Sequence, residues 1–130
     1  MLKPLKLANK DFLSSLDISS EEFFHILKIA QNFKNKDLNI ELKDKVLGLV
    51  FDKSSTRTRV SFQVAMSRLG GTSVDLNPTT SQIGRGEPIR DTARVLSRYC
   101  DVIAIRLLNN LIWKSMQNGL VSQLSTPLQI

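Results

Sequence analysis

The chain has 130 residues, of which 42% are hydrophobic and 23% charged, and this composition suits one globular domain while excluding a disordered or collagen-like protein. The net charge of +6 predicts an anionic ligand or partner, because excess Lys and Arg attract phosphate groups. Cys100 is the single cysteine, which excludes an internal disulfide. No run reaches the roughly 18 apolar residues of a membrane span, so we expect a cytoplasmic protein without a membrane partner.

The first half of the chain predicts a helix, a strand and a second helix. Residues 1–18 show no strong periodicity of hydrophobic residues, so a strand or loop is expected before the first helix. A helix is predicted from Ser19, because Ser19 or Ser20 can cap it and two glutamates and apolar residues at helical spacing follow. The continuous apolar run 46–51 is typical of a strand buried on both faces of a parallel sheet. A second helix is predicted over 55–69, because the apolar residues Val60, Val64, Met66 and Leu69 lie on overlapping helix faces, and the Gly-Gly pair after it provides the stop.

The second half repeats the alternation of strands and helices. Residues 72–76 predict a short strand, and the polar segment 77–86 predicts a loop. Pro88 fits the first turn of a third helix that runs to Tyr99, and residues 101–106 predict another buried strand. The order strand, helix, strand, helix, strand indicates an α/β fold with a parallel sheet flanked by helices and right-handed crossovers.

The candidate site lies where the first predicted strand ends and the second predicted helix begins. Carboxyl ends of parallel strands are where open α/β sheets bind ligands, and the free N–H groups of a helix start favour phosphate. The donors expected there are Ser55, Thr56, Arg57 and Thr58. Arg106 ends the predicted strand 101–106 and is expected over the same sheet edge. The alternative is an ordinary capped helix with a solvated basic first turn.

Other chemistries have little support in the residues. His25 is the single histidine and falls on the polar side of the first predicted helix, where a solvated position is expected. Cys100 adjoins a predicted buried strand and is expected in the core. Without a second histidine or a cysteine pair, a zinc site is excluded, and a solvated His25 with a core Cys100 also excludes a Cys-His dyad.

Five short motifs stand out along the chain. They are the Ser-Thr-Arg-Thr-Arg run from Ser55, Leu-Gly-Gly from Leu69, Gln-Ile-Gly-Arg-Gly-Glu from Gln82, Asp-Thr-Ala-Arg from Asp91, and the strand ending at Arg106. Together these motifs resemble the carbamoyl-phosphate domain of the ornithine carbamoyltransferase family. The related aspartate carbamoyltransferases usually carry a Ser-x-x-Lys-Gly-Glu loop instead, so the loop from Gln82 favours the ornithine enzymes. The resemblance covers nearly all of residues 1–106.

The resemblance implies transfer of a carbamoyl group from carbamoyl phosphate to the δ-amine of ornithine, giving citrulline and phosphate in arginine biosynthesis. It implies catalytic roles for Arg57 and Arg106, with Arg106 polarising the carbamoyl oxygen. The residues implied to bind carbamoyl phosphate are Ser55, Thr56, Arg57, Thr58, Gln82 and Arg106, where Gln82 would reach the ligand of a neighbouring subunit in a homotrimer. No metal or organic cofactor is implied.

After Arg106 the sequence leaves the family pattern. Residues 107–130 contain one charged residue, Lys114, whereas the preceding residues contain 29. Residues 107–130 can be back-translated into codons. One adenine inserted after the codon of Arg106 makes these codons read TFKQSDLEEYAKWTSIPVINAFTN, which is the expected family continuation. Several residues of this shifted reading do not depend on which synonymous codons are chosen. For example, Trp113 followed by Lys114 always gives a glutamate in the shifted frame. We therefore expect a frameshift, and the alternative is a genuine different C-terminal segment.

These expectations divide the chain into two parts. Residues 1–106 are expected to form an incomplete carbamoyl-phosphate-binding domain, and residues 107–130 an out-of-frame tail. Such a fragment is expected to be marginally stable, to aggregate, and to lack activity by itself. Two alternatives remain open: a carbamoyltransferase with a different amine acceptor, and a non-catalytic basic module for phosphate ligands or nucleic acid. The basic residues lack interleaved aromatic residues, so no nucleic-acid partner is expected.

Overall fold

The computed structural model describes residues 11–51, 55–77 and 89–106, and within it the chain divides into two compact units. The described part of the first unit ends at Ile40, and that of the second begins at Glu41. No helix among these residues has both the length and the apolar character needed to cross a bilayer.

The described residues of the first unit form the helix α1 (Ser20–Lys34), preceded by a 3₁₀ turn at Ser15–Asp17. Ser19 caps α1 as predicted: its Oγ accepts a hydrogen bond from the Glu22 N–H at 3.2 Å, and the Glu22 carboxylate accepts one from the Ser19 N–H at 2.8 Å. This reciprocal pair satisfies two backbone donors at the helix start. The lead-in predicted as strand or loop therefore includes a helical turn.

The second unit confirms the predicted α/β alternation. Its described residues form β1 (Val46–Phe51), α2 (Thr56–Arg68), β2 (Thr72–Leu76), α3 (Ile89–Tyr99) and β3 (Val102–Arg106). The three strands form a parallel sheet in the order β2-β1-β3. The chain therefore moves from β1 to one neighbour and then crosses to the opposite side, which makes the carboxyl end of β1 the point where the strand order reverses.

The two helices of this unit cover opposite faces of β1. Leu47, Leu49 and Phe51 pack with Met66 of α2, whereas Val50 packs with Ala93 and Leu96 of α3. Because successive strand residues alternate between faces, a continuous apolar run is required where both faces are covered. The prediction that β1 is buried on both sides is confirmed.

The predicted stop of α2 is also confirmed. Gly70 has a φ of +79°, and the N–H groups of Gly70 and Gly71 donate to the carbonyls of Ser67 and Met66 at 3.2 and 2.9 Å. These two bonds form a Schellman motif, which needs a residue in the left-handed region that glycine occupies without strain. The chain then turns directly into β2.

Two packing expectations differ from the structure. β3 was expected to be buried, but it is an outer strand of the described sheet and Val102 is 48% exposed. In α2, the apolar positions Val60 and Val64 are exposed, and the buried position is Met66. The inward face of α2 is partly polar, because it also carries Arg59 onto the sheet, and apolar spacing alone did not identify it.

Candidate functional site

The candidate site lies at the carboxyl edge of the sheet, beneath the start of α2. Arg106 is the last residue of β3 and is in register with Phe51, the last residue of β1. In-register neighbours of a parallel sheet project to the same face, so Arg106 shares the face that α2 covers. This is the position predicted for Arg106 from the sequence.

A direct hydrogen bond joins two of the predicted site residues. The Arg106 guanidinium donates to the Ser55 Oγ at 2.9 Å, and Ser55 is buried with 6% of its surface exposed. The serine hydroxyl still has its own proton to donate, so the pair can present both a guanidinium and an O–H donor to one anion. The sequence predicted both residues but gave no indication that they touch.

Ser55 occupies the N-cap position of α2 but does not cap the helix. Its side chain makes no capping hydrogen bond, and its carbonyl accepts the first bond of the helix, from the Arg59 N–H at 2.8 Å. The N–H groups of Thr56, Arg57 and Thr58 precede that bond, and no acidic residue lies in the first turn. Ser55 thus does not supply the side-chain cap that the alternative interpretation requires, and this helix start has the donors and the dipole direction that suit an anion.

The two arginines of the first turn have different surroundings. Arg57 is exposed, whereas the Nε of Arg59 lies 2.8 Å from the Asp75 Oδ2 in β2 and the guanidinium carbon lies 5.6 Å from the Phe51 ring centroid. The Nε–H of Arg59 does not point at the carboxylate oxygen, so the contact is an ion pair rather than a hydrogen bond. Residues two apart on a helix face different directions, so Arg59 is held on the sheet while Arg57 faces solvent.

The amino edge of the sheet carries a different charged cluster. The Asp101 carboxylate accepts hydrogen bonds from the Lys45 Nζ at 3.0 Å and the Val46 N–H at 2.8 Å. Desolvation by itself would raise the pKa of Asp101, but these hydrogen bonds and the Lys45 charge outweigh it and lower that pKa. Both charges already have partners here, so this cluster ties β1 to the start of β3.

Cys100 is in the core, as predicted. It is buried beside Gly48, and desolvation together with the nearby Asp101 charge raises the pKa of its thiol, so the thiol stays protonated near neutral pH. Within the described ranges no group of His, Cys, Asp and Glu has the arrangement of a metal site.

The predicted site residues are thus distributed unevenly. Ser55 and Arg106 are in contact, and Thr56, Arg57 and Thr58 form the adjoining first turn. Gln82 lies outside the described residues. The sequence reasoning gave no role to Asp75, although a carboxylate next to the carboxyl end of a short strand, on the face that α2 covers, is a signal that could have paired it with Arg59.

Known proteins resemble this chain in sequence and in fold. Residues 10–130 match the family model described as aspartate/ornithine carbamoyltransferase, carbamoyl-P binding domain. A curated ornithine carbamoyltransferase from Prochlorococcus marinus subsp. pastoris is 77% identical over 110 residues, which are 85% of this chain and 36% of that protein. This chain therefore spans about a third of the length of the curated relatives it matches.

Solved structures give the same result at lower identity. The ornithine carbamoyltransferase from Pyrococcus furiosus is 42% identical with a TM-score of 0.77, over 89% of this chain and 38% of that one. An aspartate transcarbamoylase from Trypanosoma cruzi, in complex with carbamoyl aspartate and phosphate, is 29% identical with a TM-score of 0.80, over 92% of this chain and 40% of that one. The fold is thus similar in both enzyme groups.

Proposed function

Because the chain belongs to the aspartate/ornithine carbamoyltransferase family, we propose that it supplies the carbamoyl-phosphate site of a cytoplasmic ornithine carbamoyltransferase. A curated ornithine carbamoyltransferase is 77% identical to the chain, and among similar solved structures the ornithine enzymes are 34% to 42% identical whereas the aspartate transcarbamoylases are 27% to 35% identical. This difference supports ornithine rather than aspartate as the acceptor of the whole enzyme.

The contact between Arg106 and Ser55 carries the proposal. It places a guanidinium and a buried hydroxyl beside a helix start that has no side-chain cap, at the point where the strand order reverses. A phosphate group needs several N–H and O–H donors converging from one side, together with positive charge. Thr56, Arg57 and Thr58 would complete this set, and Gln82 of a neighbouring subunit in a homotrimer would add to it.

The proposed reaction forms a bond from the δ-nitrogen of ornithine to the carbamoyl carbon and breaks the bond from that carbon to the phosphate oxygen. The nitrogen loses a proton, which the departing phosphate can accept, and citrulline and phosphate are released. Negative charge grows on the carbamoyl oxygen and on the phosphate. Arg106 would stabilise the first and Arg57 the second, and fixed donors of this kind need no reorganisation during the reaction.

A charge-matched pair of variants tests the site. Arg57 lies in the first turn of α2 and Arg68 in the last, about 16 Å further along the helix axis. We expect Arg57→Ala to weaken carbamoyl phosphate binding roughly tenfold to a hundredfold, since a charged hydrogen-bonding partner is lost. Arg68→Ala removes the same charge far from the site and should leave the affinity near that of the unaltered chain. Titration calorimetry at constant ionic strength measures both.

Equal weakening by the two variants would reject the site, because it would mean that the ligand senses only the overall positive charge. Salt-dependent binding of nucleic acid with no preference for carbamoyl phosphate would instead support the basic-module alternative.

We propose in addition that residues 107–130 are read in a shifted frame. The support is the family-like reading obtained when one adenine is inserted after the codon of Arg106. Sequencing the gene through this codon and several hundred bases beyond tests the proposal. A shifted frame that continues with the family pattern is expected, and a downstream sequence in which no frame resembles the family would reject it.

A further inference from the structure

The start of α2 is fixed to the sheet at two points on either side of β1. Ser55 accepts a hydrogen bond from Arg106 of β3, and Arg59 makes an ion pair with Asp75 of β2. Between these two anchors lie Thr56, Arg57 and Thr58, whose N–H groups precede the first hydrogen bond of the helix.

The Arg59 anchor is specific in its geometry. Its guanidinium lies over the Phe51 ring, and Phe51 is the last residue of β1 and is 3% exposed. The ring of Phe51 also contacts that of Phe62 one turn further along α2, with centroids 6.4 Å apart. The side chains of Arg59 and Asp75 are 22% and 31% exposed, so this ion pair is partly shielded from water and from salt.

The backbone of Arg59 is tied to the same turn. Its N–H donates to the Ser55 carbonyl at 2.8 Å, so a rotation of Arg59 away from the sheet also moves the residue that contacts Arg106. The side chain of Arg59 cannot serve as the phosphate ligand while it is held against Asp75. It can instead determine the direction in which the first turn of α2 presents its donors.

We propose that Arg59 is a positioning residue for the phosphate site: its ion pair with Asp75 and its contact with Phe51 orient the first turn of α2 so that Arg57 and the free N–H groups face the ligand. This inference rests on the proposed function, and it gives the second arginine of the Ser-Thr-Arg-Thr-Arg run a role distinct from the first. A small error in the direction of a binding group reduces affinity even when the group itself is intact.

The test compares Arg59→Met with Lys45→Met, which breaks the more exposed ion pair at the opposite edge of the sheet. Thermal unfolding first establishes how much stability each variant loses. Carbamoyl phosphate affinity is then measured by calorimetry well below both unfolding transitions. We expect Arg59→Met to weaken binding roughly threefold to thirtyfold and Lys45→Met to leave it unchanged. Equal affinity in the two variants would overturn the positioning role.

Asp75, the ion-pair partner of Arg59, allows a second test whose result does not depend on a general loss of stability. Asp75→Asn should weaken binding by a similar factor, and the double variant with Arg59→Met should lose little more than either single one, because both remove the same anchor. Additive losses would contradict the inference. Asp75→Asn also keeps the test available if Arg59→Met does not fold. Failure of the unaltered chain to bind carbamoyl phosphate would reject the proposed function itself, whereas binding retained in all Arg59 and Asp75 variants would reject only the positioning role.

Discussion

The two edges of the sheet both carry a basic side chain beside a strand end, but they differ in what that side chain meets. At the amino edge, Lys45 meets the Asp101 carboxylate, which also accepts the Val46 N–H. At the carboxyl edge, Arg106 meets the neutral hydroxyl of Ser55. A carboxylate neutralises the cation and closes the cluster, whereas a hydroxyl orients the cation and leaves its charge for a ligand. The difference separates a cluster that holds the fold together from one that is suited to binding.

The same distinction applies within the first turn of α2. Arg59 is committed to Asp75, and Arg57 is exposed at the helix start. The two arginine side chains, two positions apart, therefore have different roles: Arg59 anchors the turn, and Arg57 is available to an anion. The predictions below test this contrast between committed and available charge.

The largest expected effect comes from removing the available charge on β3. Arg106→Met should weaken carbamoyl phosphate binding roughly a hundredfold. A charged donor is lost, and Ser55 also loses the group that orients its hydroxyl. The unfolding midpoint should change little, since Arg106 is exposed and pairs with a neutral group. Calorimetry and thermal unfolding of the same samples check both statements. Unchanged affinity would mean that the carboxyl edge is not the site.

An intermediate effect is expected between the two edges, at Gly48. A Cβ there would lie 3.0 Å from the Cys100 Sγ and 3.4 Å from the Ile103 Cγ1, so Gly48→Ala overpacks the contact of β1 with the start of β3. We expect a loss of about 1–3 kcal/mol in the free energy of unfolding. Denaturant titration measures it.

A second substitution shows whether that loss has the stated cause. Cys100→Ala removes the sulfur and leaves its Cβ 3.7 Å from the new methyl group, which is an ordinary contact. The double variant should therefore be more stable than Gly48→Ala alone. A double variant that is less stable than either single one would show that crowding against the sulfur is not the reason.

The smallest effect is expected at the amino edge. Asp101→Asn should cost about 1 kcal/mol or less, because Lys45 is well exposed and an amide oxygen can still accept the Val46 N–H. Carbamoyl phosphate affinity at neutral pH should not change, which is the contrast with Arg106→Met.

The pH dependence of stability follows from the lowered pKa of Asp101. A carboxyl whose pKa is lower in the folded chain stabilises the fold above its ordinary pKa of about 3.9 and loses that contribution as the pH falls through the folded value. Acid titration of the unaltered chain should show this loss, and Asp101→Asn should lack it. Identical acid unfolding of the two chains would contradict the assignment.

The order of elements could be predicted from the sequence because it depends on local patterns. The continuous apolar run 46–51 required a strand covered on both faces, Ser19 was one of two candidate caps for α1, and Gly70 provided the left-handed residue at the end of α2. The candidate residues Ser55, Thr56, Arg57, Thr58 and Arg106 were likewise identified from their place at strand ends and a helix start. These features depend on residues close together in the chain, so the sequence carries them without knowledge of the fold.

Only the tertiary structure decided which charges are paired. The contacts of Arg106 with Ser55, of Arg59 with Asp75 and of Lys45 with Asp101 join residues from different elements. The tertiary structure also decided that Ser55 leaves the start of α2 uncapped and that the inward face of α2 is partly polar. The physical reason is that sheet order and register, and not local propensity, determine which side chains lie within reach of one another.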